Sequence, residues 1–180
     1  MRLPHDWYDE PLPANVRLGE RSWIYSSFAF LHHRSTRPDA VRIGDDSGVY
    51  HGSFFETGPD AEVEIGRFCT VAGPKIRTDG RVRIGDHTFI SYDVVIADDV
   101  VAVPPGAGPG AAPRGVEIES EVWIGARAVV AGGARLGRGA VVAAGAVVDF
   151  DVPEYAVVAG NPGRVVGSAP PGLAAREDAR

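Results

Sequence analysis

The chain has 180 residues, 44% of them hydrophobic, with a formal net charge of −6 and one cysteine. This length and composition predict one domain with a sizeable core, and the negative balance argues against a general nucleic-acid or anionic-membrane binder. A lone Cys69 excludes an internal disulfide. The N-terminal MRLPHDWYDEPLP has no signal-peptide core and no apolar run reaches membrane-spanning length, which together predict a cytoplasmic protein.

Residues 1–17 contain three prolines and no periodic pattern, and read as an extended arm packed on the domain or on a neighbour. From Leu18 a six-residue register begins. Leu18, Ile24 and Phe30 give a weak run, and Ile43, Val49 and Phe55 repeat it with Ser47 and Ser53 at the small position four residues on. Ile65 and Val71 follow with Cys69 small, then Ile84, Ile90 and Ile96 with Thr88 and Val94. The phase slips between runs, so residues 31–42, 56–62, 74–82 and 97–117 are expected to bulge. Residues 98–117, rich in Pro, Gly and Ala, read as a long inserted loop, and loops of this length inside a domain are usually functional or disordered.

The register is cleanest over residues 118–152. Ile118, Ile124, Val130, Leu136, Val142 and Val148 stand six apart, each followed four residues on by Val122, Ala128, Ala134, Ala140, Ala146 or Val152. A helix needs apolar spacing of about 3.6 residues and a simple strand needs alternation, so neither explains this run. A coil of short strands does: one large aliphatic points inward per side, and a small residue fits each corner. Gly often follows the aliphatic, as at Gly44, Gly66, Gly85, Gly125 and Gly137, where a missing Cβ suits a sharp corner. Coils stacked about 4.8 Å apart predict roughly seven turns in a prism on the order of 30 Å tall. The end turns need covers, which the arm and the C-terminal tail can supply. The domain is expected to span 18–167. Residues 168–180 form a short tail that either makes a helix after Pro171 or stays disordered.

The stretches VRIGDHTFISYDVVIAD, VEIESEVWIGARAVVAGGARLGRGAVVAAGAVV and DVPEYAVVAGNPGRVV resemble the hexapeptide-repeat acyltransferases, with VWIG and DVP…AGNP the most specific parts. The resemblance implies an all-β, left-handed parallel β-helix that assembles as a homotrimer. It also implies acyl transfer from acetyl-CoA or another acyl-CoA to a hydroxyl or amine of a small acceptor, such as a sugar or amino sugar, between subunits. By the same resemblance the CoA arm lies on the corner after VWIG, at Gly125 and Ala126, and on the next corner, at Ala143 and Ala144. Asn161 and Arg164, in and after the AGNP turn, stand where relatives reach the CoA phosphates or adenine, a role that suits a guanidinium. Arg127, Arg135 and Arg138 are candidates for added positive charge. Where relatives often carry Thr-Lys, this chain has Asp149 and Phe150. That change removes a phosphate contact but leaves Phe150 as a platform for adenine.

Relatives also carry a histidine at the mouth of the long loop, as the base that takes the acceptor proton. In this chain the matching positions read Asp98-Asp99-Val100, and residues 100–116 hold no histidine. Three readings stay open: Asp99 acts as the base, another histidine such as His87 or His51 enters the groove, or an amine acceptor attacks without one. A ligand- or partner-binding protein without catalysis is the alternative function. A carbonic-anhydrase-like metal enzyme ranks lower, because three converging histidines are needed and the repeats carry no such spacing.

Overall fold

The computed structural model of the chain describes residues 1–98 and 115–170. Short strands follow one another around a three-sided coil. The first turn has β1 (Val16–Leu18), β2 (Trp23–Ile24) and a 3-10 helix at Ser27–Phe30. The second has β3 (Val41–Ile43), β4 (Gly48–Val49) and β5 (Phe54–Thr57), and the third β6 (Glu62–Ile65), β7 (Thr70–Val71) and β8 (Lys75–Thr78). The fourth has β9 (Arg81–Ile84), β10 (Phe89–Ile90) and β11 (Val95–Ala97). The fifth has β12 (Val116–Ile118), β13 (Trp123–Ile124) and β14 (Val129–Ala131). The sixth has β15 (Arg135–Leu136), β16 (Val141–Val142) and β17 (Val147–Val148), before β18 (Ala156–Ala159) and β19 (Arg164–Ser168) close the stack.

Equivalent strands of successive turns pair in parallel into three sheets. Sheet A runs β1-β3-β6-β9-β12-β15, sheet B runs from β2 to β18 with β19 added antiparallel, and sheet C runs β5-β8-β11-β14-β17. The expected parallel β-helix is therefore present, with six turns and a partial seventh in which Val152 bridges Leu136.

The core follows the six-residue register. Sheet A stacks Ile43, Ile65, Ile84, Ile118 and Leu136, all buried; sheet B stacks Ile24, Val49, Val71, Ile90, Ile124, Val142 and Val158. Sheet C stacks Phe55, Ile76, Ile96, Val130 and Val148. Each residue sits over its own kind one turn away, so the prism interior is filled by ladders of aliphatic side chains at near-crystalline density. In the first turn Phe30 lies flat on Phe55, with ring centroids 4.8 Å apart. The small positions, from Ser47 to Val152, are buried at the corners, Cys69 among them.

At 56–62 the expected bulge is confined to residues 58–61, a corner between β5 and β6 that lengthens the step from Phe55 to Ile65 to ten residues. The expected bulge at 74–82 is corrected by the structure: it carries β8 and the start of β9, and Ile76, five residues after Val71 rather than six, fills the third side of its turn. A corner shortened by one residue broke the register in the sequence without breaking the coil. The arm folds over the first turn. The Asp6 carboxylate accepts hydrogen bonds from the Ser26 hydroxyl and from the Ser27 hydroxyl and amide at 2.6 Å, and a His5 ring nitrogen meets the Ile24 carbonyl at 2.8 Å. At the other end β19 doubles back on β18, and the amide of Ala169 donates to the Tyr155 carbonyl. The helix considered after Pro171 lies outside the described residues.

Candidate functional site

The three edges of the prism differ in chemistry, and the sequence-predicted residues distribute among them. The edge between sheets B and C carries Gly125 and Ala126 in the fifth turn, and Ala143 and Ala144 in the sixth. The Gly145 amide donates to the Ala126 carbonyl at 2.9 Å, which fixes the two corners one above the other. The AGNP turn follows on the same edge: Val147 donates to the Gly160 carbonyl at 3.0 Å, and Gly163 donates to the Val147 carbonyl at 2.8 Å. Asn161 is exposed beside a cis peptide to Pro162, and Arg164 is exposed at the start of β19, its guanidinium on the Gly163 carbonyl at 2.6 Å. Six of the seven candidate donor-site residues thus lie on one edge across three successive levels.

The small residues there have two explanations. A Cβ on Gly125 would lie 2.6 Å from the Ala144 nitrogen, so coil stacking alone requires glycine at that position. Ala144 and Gly145 are different. Ala144 is exposed, and a Cβ on Gly145 would meet nothing within 4 Å, so the fold leaves this corner bare. Gly145 is itself favoured by its φ of +71°, and with the exposed Ala144 beside it the corner is bare, which lets a thin ligand approach backbone groups.

Phe150 is the exception. It follows β17 on the edge between sheets C and A, where it is half-buried and packs against the core. Within one chain it does not join the others. His87 also lies elsewhere, on the edge between sheets A and B. Its backbone is in the left-handed region at φ 57°, its amide donates to the Arg67 carbonyl, and its ring stacks on Phe68 with centroids 4.9 Å apart. Asp99 lies outside the described residues.

Its neighbour Asp98 has a clear role. The Asp98 side chain is buried, accepts from the Thr78 hydroxyl, and accepts from the amides of Asp79 at 3.2 Å and Gly80 at 2.9 Å. It closes the corner from which the inserted segment departs. Three donors thus converge on its two oxygens, which gives Asp98 a structural role.

The arginines separate in the same way. Arg135 pairs with Glu119 and Arg138 with Glu121, which removes both from the B–C edge, and the pairing with Arg135 holds the Glu119 carboxyl below its ordinary range. Arg127 does stand on that edge, exposed, at 4.0 Å from Asp93. Sheet A is covered by ion pairs between turns, such as Arg42 and Arg81 with Glu64. The outer faces of sheet B and of the later turns of sheet C carry mostly uncharged side chains. Sheet B turns Thr70, Phe89, Trp123, Val141 and Val157 outward in register, and sheet C turns Val95, Val129 and Val147 outward. Trp123 is 56% exposed.

At the N-terminal end of the B–C edge lies a hollow of about 250 Å³, walled by Trp7, Tyr25, Phe28, Tyr50, His51 and Phe54. Tyr25 meets His51 edge to face at 5.2 Å. The sequence marked His51 only as an outward histidine. The register of VYHGSFF places aromatic residues around it, but the wall is completed by the arm, whose docking has no periodic signal.

Among the described residues of the single chain, no group of three His, Cys, Asp or Glu side chains is placed to hold a metal ion. Among the same residues no helix is long and apolar enough to cross a membrane.

Residues 115–149 match the family model for the bacterial transferase hexapeptide, six repeats. A 2,3,4,5-tetrahydropyridine-2,6-dicarboxylate N-acetyltransferase of Staphylococcus aureus strain JH9 is 46% identical over 85 residues, 47% of this chain and 32% of that protein. The chain therefore spans about a third of the length of the curated relatives it matches. Among solved structures, the N-acyltransferase AntD of Bacillus cereus, in complex with dTDP and 3-hydroxybutyryl-CoA, superposes with a TM-score of 0.68 at 16% identity, covering 91% of this chain and 88% of that one. The hexapeptide-repeat acetyltransferase VCA0836 of Vibrio cholerae, complexed with acetyl-CoA, superposes with a TM-score of 0.53 at 22% identity, covering 86% and 71%. At these identities the structural likeness establishes the fold.

Proposed function

We propose that this hexapeptide-repeat protein is an acyl-CoA-dependent acyltransferase that binds its donor along the edge between sheets B and C. The observation that carries the reading is the alignment of Gly125, Ala126, Ala143, Ala144, Asn161 and Arg164 on that single edge, with a bare corner at Ala144 and Gly145. The pantetheine arm lies against the exposed backbone of Ala126 and Ala144, and Arg164 meets the phosphates at the AGNP end with a charge-assisted contact. The solved neighbours carrying CoA or acetyl-CoA on the same fold support this donor, and the 46% identical N-acetyltransferase supports acetyl as the group transferred.

The acceptor is a small molecule bearing an amine or hydroxyl. The neighbour that carries dTDP favours an amino sugar or a nucleotide-linked sugar. The protein works as a homotrimer in the cytoplasm. The outward Phe89, Trp123, Val141 and Val157 of sheet B supply an apolar interface, whereas sheet A stays in solvent behind its ion pairs. In such a trimer Phe150 and His87 face the donor edge only from a neighbouring subunit.

Thiol release from acetyl-CoA in the presence of an amino-sugar panel, dTDP-linked sugars included, tests the activity. Acceptor-dependent release supports transfer. Binding of acetyl-CoA with no release for any acceptor, and no acetylated product by mass spectrometry, favours the alternative of a binding protein without catalysis.

A further inference from the structure

We infer that the aromatic hollow at the N-terminal end of the B–C edge is a binding site for a small organic cation, an alkylated ammonium, separate from the donor site. The hollow is built from the arm and the first two turns, whereas Gly125 and Ala144 belong to the fifth and sixth. Its occupant does not require an acyl-CoA on the later turns.

The walls are aromatic rings set at wide angles. Trp7 and Phe28 are tilted by 46° with centroids 5.3 Å apart, Phe28 and Phe54 by 71° at 5.7 Å, and Tyr25 and His51 by 87° at 5.2 Å. None of these pairs is stacked face to face, unlike Phe30 on Phe55 in the core. Rings in tilted and edge contacts leave faces uncovered, and each face carries the negative part of the ring's quadrupole. A cation is drawn to such faces, to Trp most of all. Trp7 lines the hollow from the arm and is still 64% exposed, so much of its ring is open to an occupant.

A negative charge stands behind this wall without a counter-ion. Ser26 lines the hollow, and its hydroxyl donates to the Asp6 carboxylate at 2.6 Å. The other partners of that carboxylate are the Ser27 hydroxyl and amide and the Tyr8 amide, all neutral. Partial desolvation pushes the Asp6 carboxyl up, but the hydrogen bonds outweigh it and keep the group ionised. The ion pairs of the arm and first turn join Arg2 to Asp9, Arg17 to Asp39 and Arg21 to Asp46, and among the described residues they leave Asp6 out. No Asp, Glu, Lys or Arg lines the hollow itself, and Lys75, in register beside Phe54 on the next turn, stays outside it. The field in the hollow is therefore negative, from ring faces and from Asp6 together.

The polar atoms present decide which cation fits. Ser26 also accepts from the Phe28 amide, while Ser53 donates to the Tyr50 carbonyl and accepts from the Gly73 amide, so both hydroxyls are in use. A primary ammonium would trade its water for a few neutral acceptors, at a desolvation cost that such a wall does not repay. An ammonium whose hydrogens are replaced by methyl groups has no N–H to satisfy and offers apolar surface to the rings. A hollow of about 250 Å³ admits a trimethylammonium head with a short chain. A hydroxyl on that chain can meet Tyr25, Tyr50 or His51.

The test titrates the full chain with choline and with its uncharged isostere dimethylbutanol, in which carbon replaces the nitrogen, by calorimetry and by tryptophan fluorescence. Shape is the same in the two probes and charge is not. Choline is expected to bind at millimolar concentration or below, and the isostere at least about tenfold more weakly. Trp7→Leu alters an exposed ring of the arm and leaves Asp6 and the core in place. It is expected to weaken choline at least about fivefold while keeping the parent's thermal midpoint and acetyl-CoA affinity. Phe54→Leu, in the wall of the second turn, is expected to weaken choline likewise. Equal affinity for choline and the isostere overturns the cation assignment. Choline affinity unchanged in both variants, or no choline binding to the parent at tens of millimolar, overturns the site. Loss of acetyl-CoA binding alone would bear on the donor edge and not on this hollow.

Discussion

A methyl group on Gly125 would lie 2.6 Å from the backbone nitrogen of Ala144, one turn further along the same edge. The two corners of the proposed donor site are therefore in backbone contact, and their spacing is set by the fold before any ligand arrives. Gly125→Ala must push the fifth and sixth turns apart. Overpacking of this kind costs about 1–3 kcal/mol, so the denaturation midpoint should fall by several degrees and acetyl-CoA affinity should fall with it. An unchanged midpoint would show that the turns separate freely.

Arg164 is exposed, and among the described residues its guanidinium holds only the neighbouring Gly163 carbonyl. Arg164→Ala should therefore leave the thermal midpoint in place. It should weaken acetyl-CoA about tenfold or more, since hydrogen bonds to charged groups are worth about 1.5–3 kcal/mol. Dephospho-CoA and pantetheine, titrated in parallel, locate the contact: a loss confined to ligands that carry the pyrophosphate assigns Arg164 to that group. Equal affinity for parent and variant removes Arg164 from the donor site.

Asp98 tests the opposite kind of role. Its carboxylate receives Thr78, Asp79 and Gly80 while buried. Asp98→Asn turns an amide nitrogen toward donors and should destabilise the protein by about 1–3 kcal/mol, measured by urea denaturation. Thr78→Val should cost a similar amount. If Asp98→Asn keeps full stability but abolishes transfer, Asp98 is a catalytic group and its structural role is refuted.

The arm is pinned by Asp6. Partial desolvation pushes its carboxyl up, but hydrogen bonds from Ser26, Ser27 and the Tyr8 amide outweigh this and hold it well below the ordinary carboxylate range. A depressed folded-state pKa contributes stability that is present above the unfolded value, about 3.9, and is lost as pH falls through that value toward the folded one. Fluorescence of Trp7 and its neighbours should therefore report release of the arm below about pH 4. Asp6→Asn should release it at neutral pH. An acid transition identical in the two proteins contradicts the pinning role.

Much of this architecture was legible because a β-helix repeats its sequence with its structure. The inward ladders from Ile118 to Val148 and the small corners from Val122 to Val152 stand as the register predicts. The register failed where a corner changed length, as between Val71 and Ile76, because one missing residue shifts the phase while the side chain still enters the core. That Gly125, Ala126, Ala143, Ala144, Asn161 and Arg164 fall close together was legible through the VWIG and AGNP segments. The register also set His87 on a different side of the prism from the loop mouth; the separation of Phe150 was missed, because matching a motif residue by residue does not say that its residues share one edge within one chain. The hollow around His51 was hidden for a different reason. Its wall joins Trp7 of the arm to Tyr25 and Tyr50 of two turns, and the hydrogen bonds that dock the arm leave no pattern in sequence.

The apolar outer face of sheet B makes assembly testable. Trp123 is more than half exposed in the single chain and sits in register with Phe89 and Val141. Sedimentation at micromolar concentration should give a trimer, and Trp123→Glu should shift it toward monomer. A monomeric parent protein contradicts the assembly.

The central claim is that an acyl-CoA lies along the bare B–C edge, and one side-by-side calorimetric titration tests it. Acetyl-CoA is titrated into the parent protein and into Ala144→Trp, whose added ring projects from an exposed corner and leaves the core untouched. Donor binding on this edge predicts micromolar affinity for the parent, at least a tenfold loss in the variant, and the same thermal midpoint for both. Equal binding by the two proteins, or no binding by the parent at millimolar ligand, would contradict it.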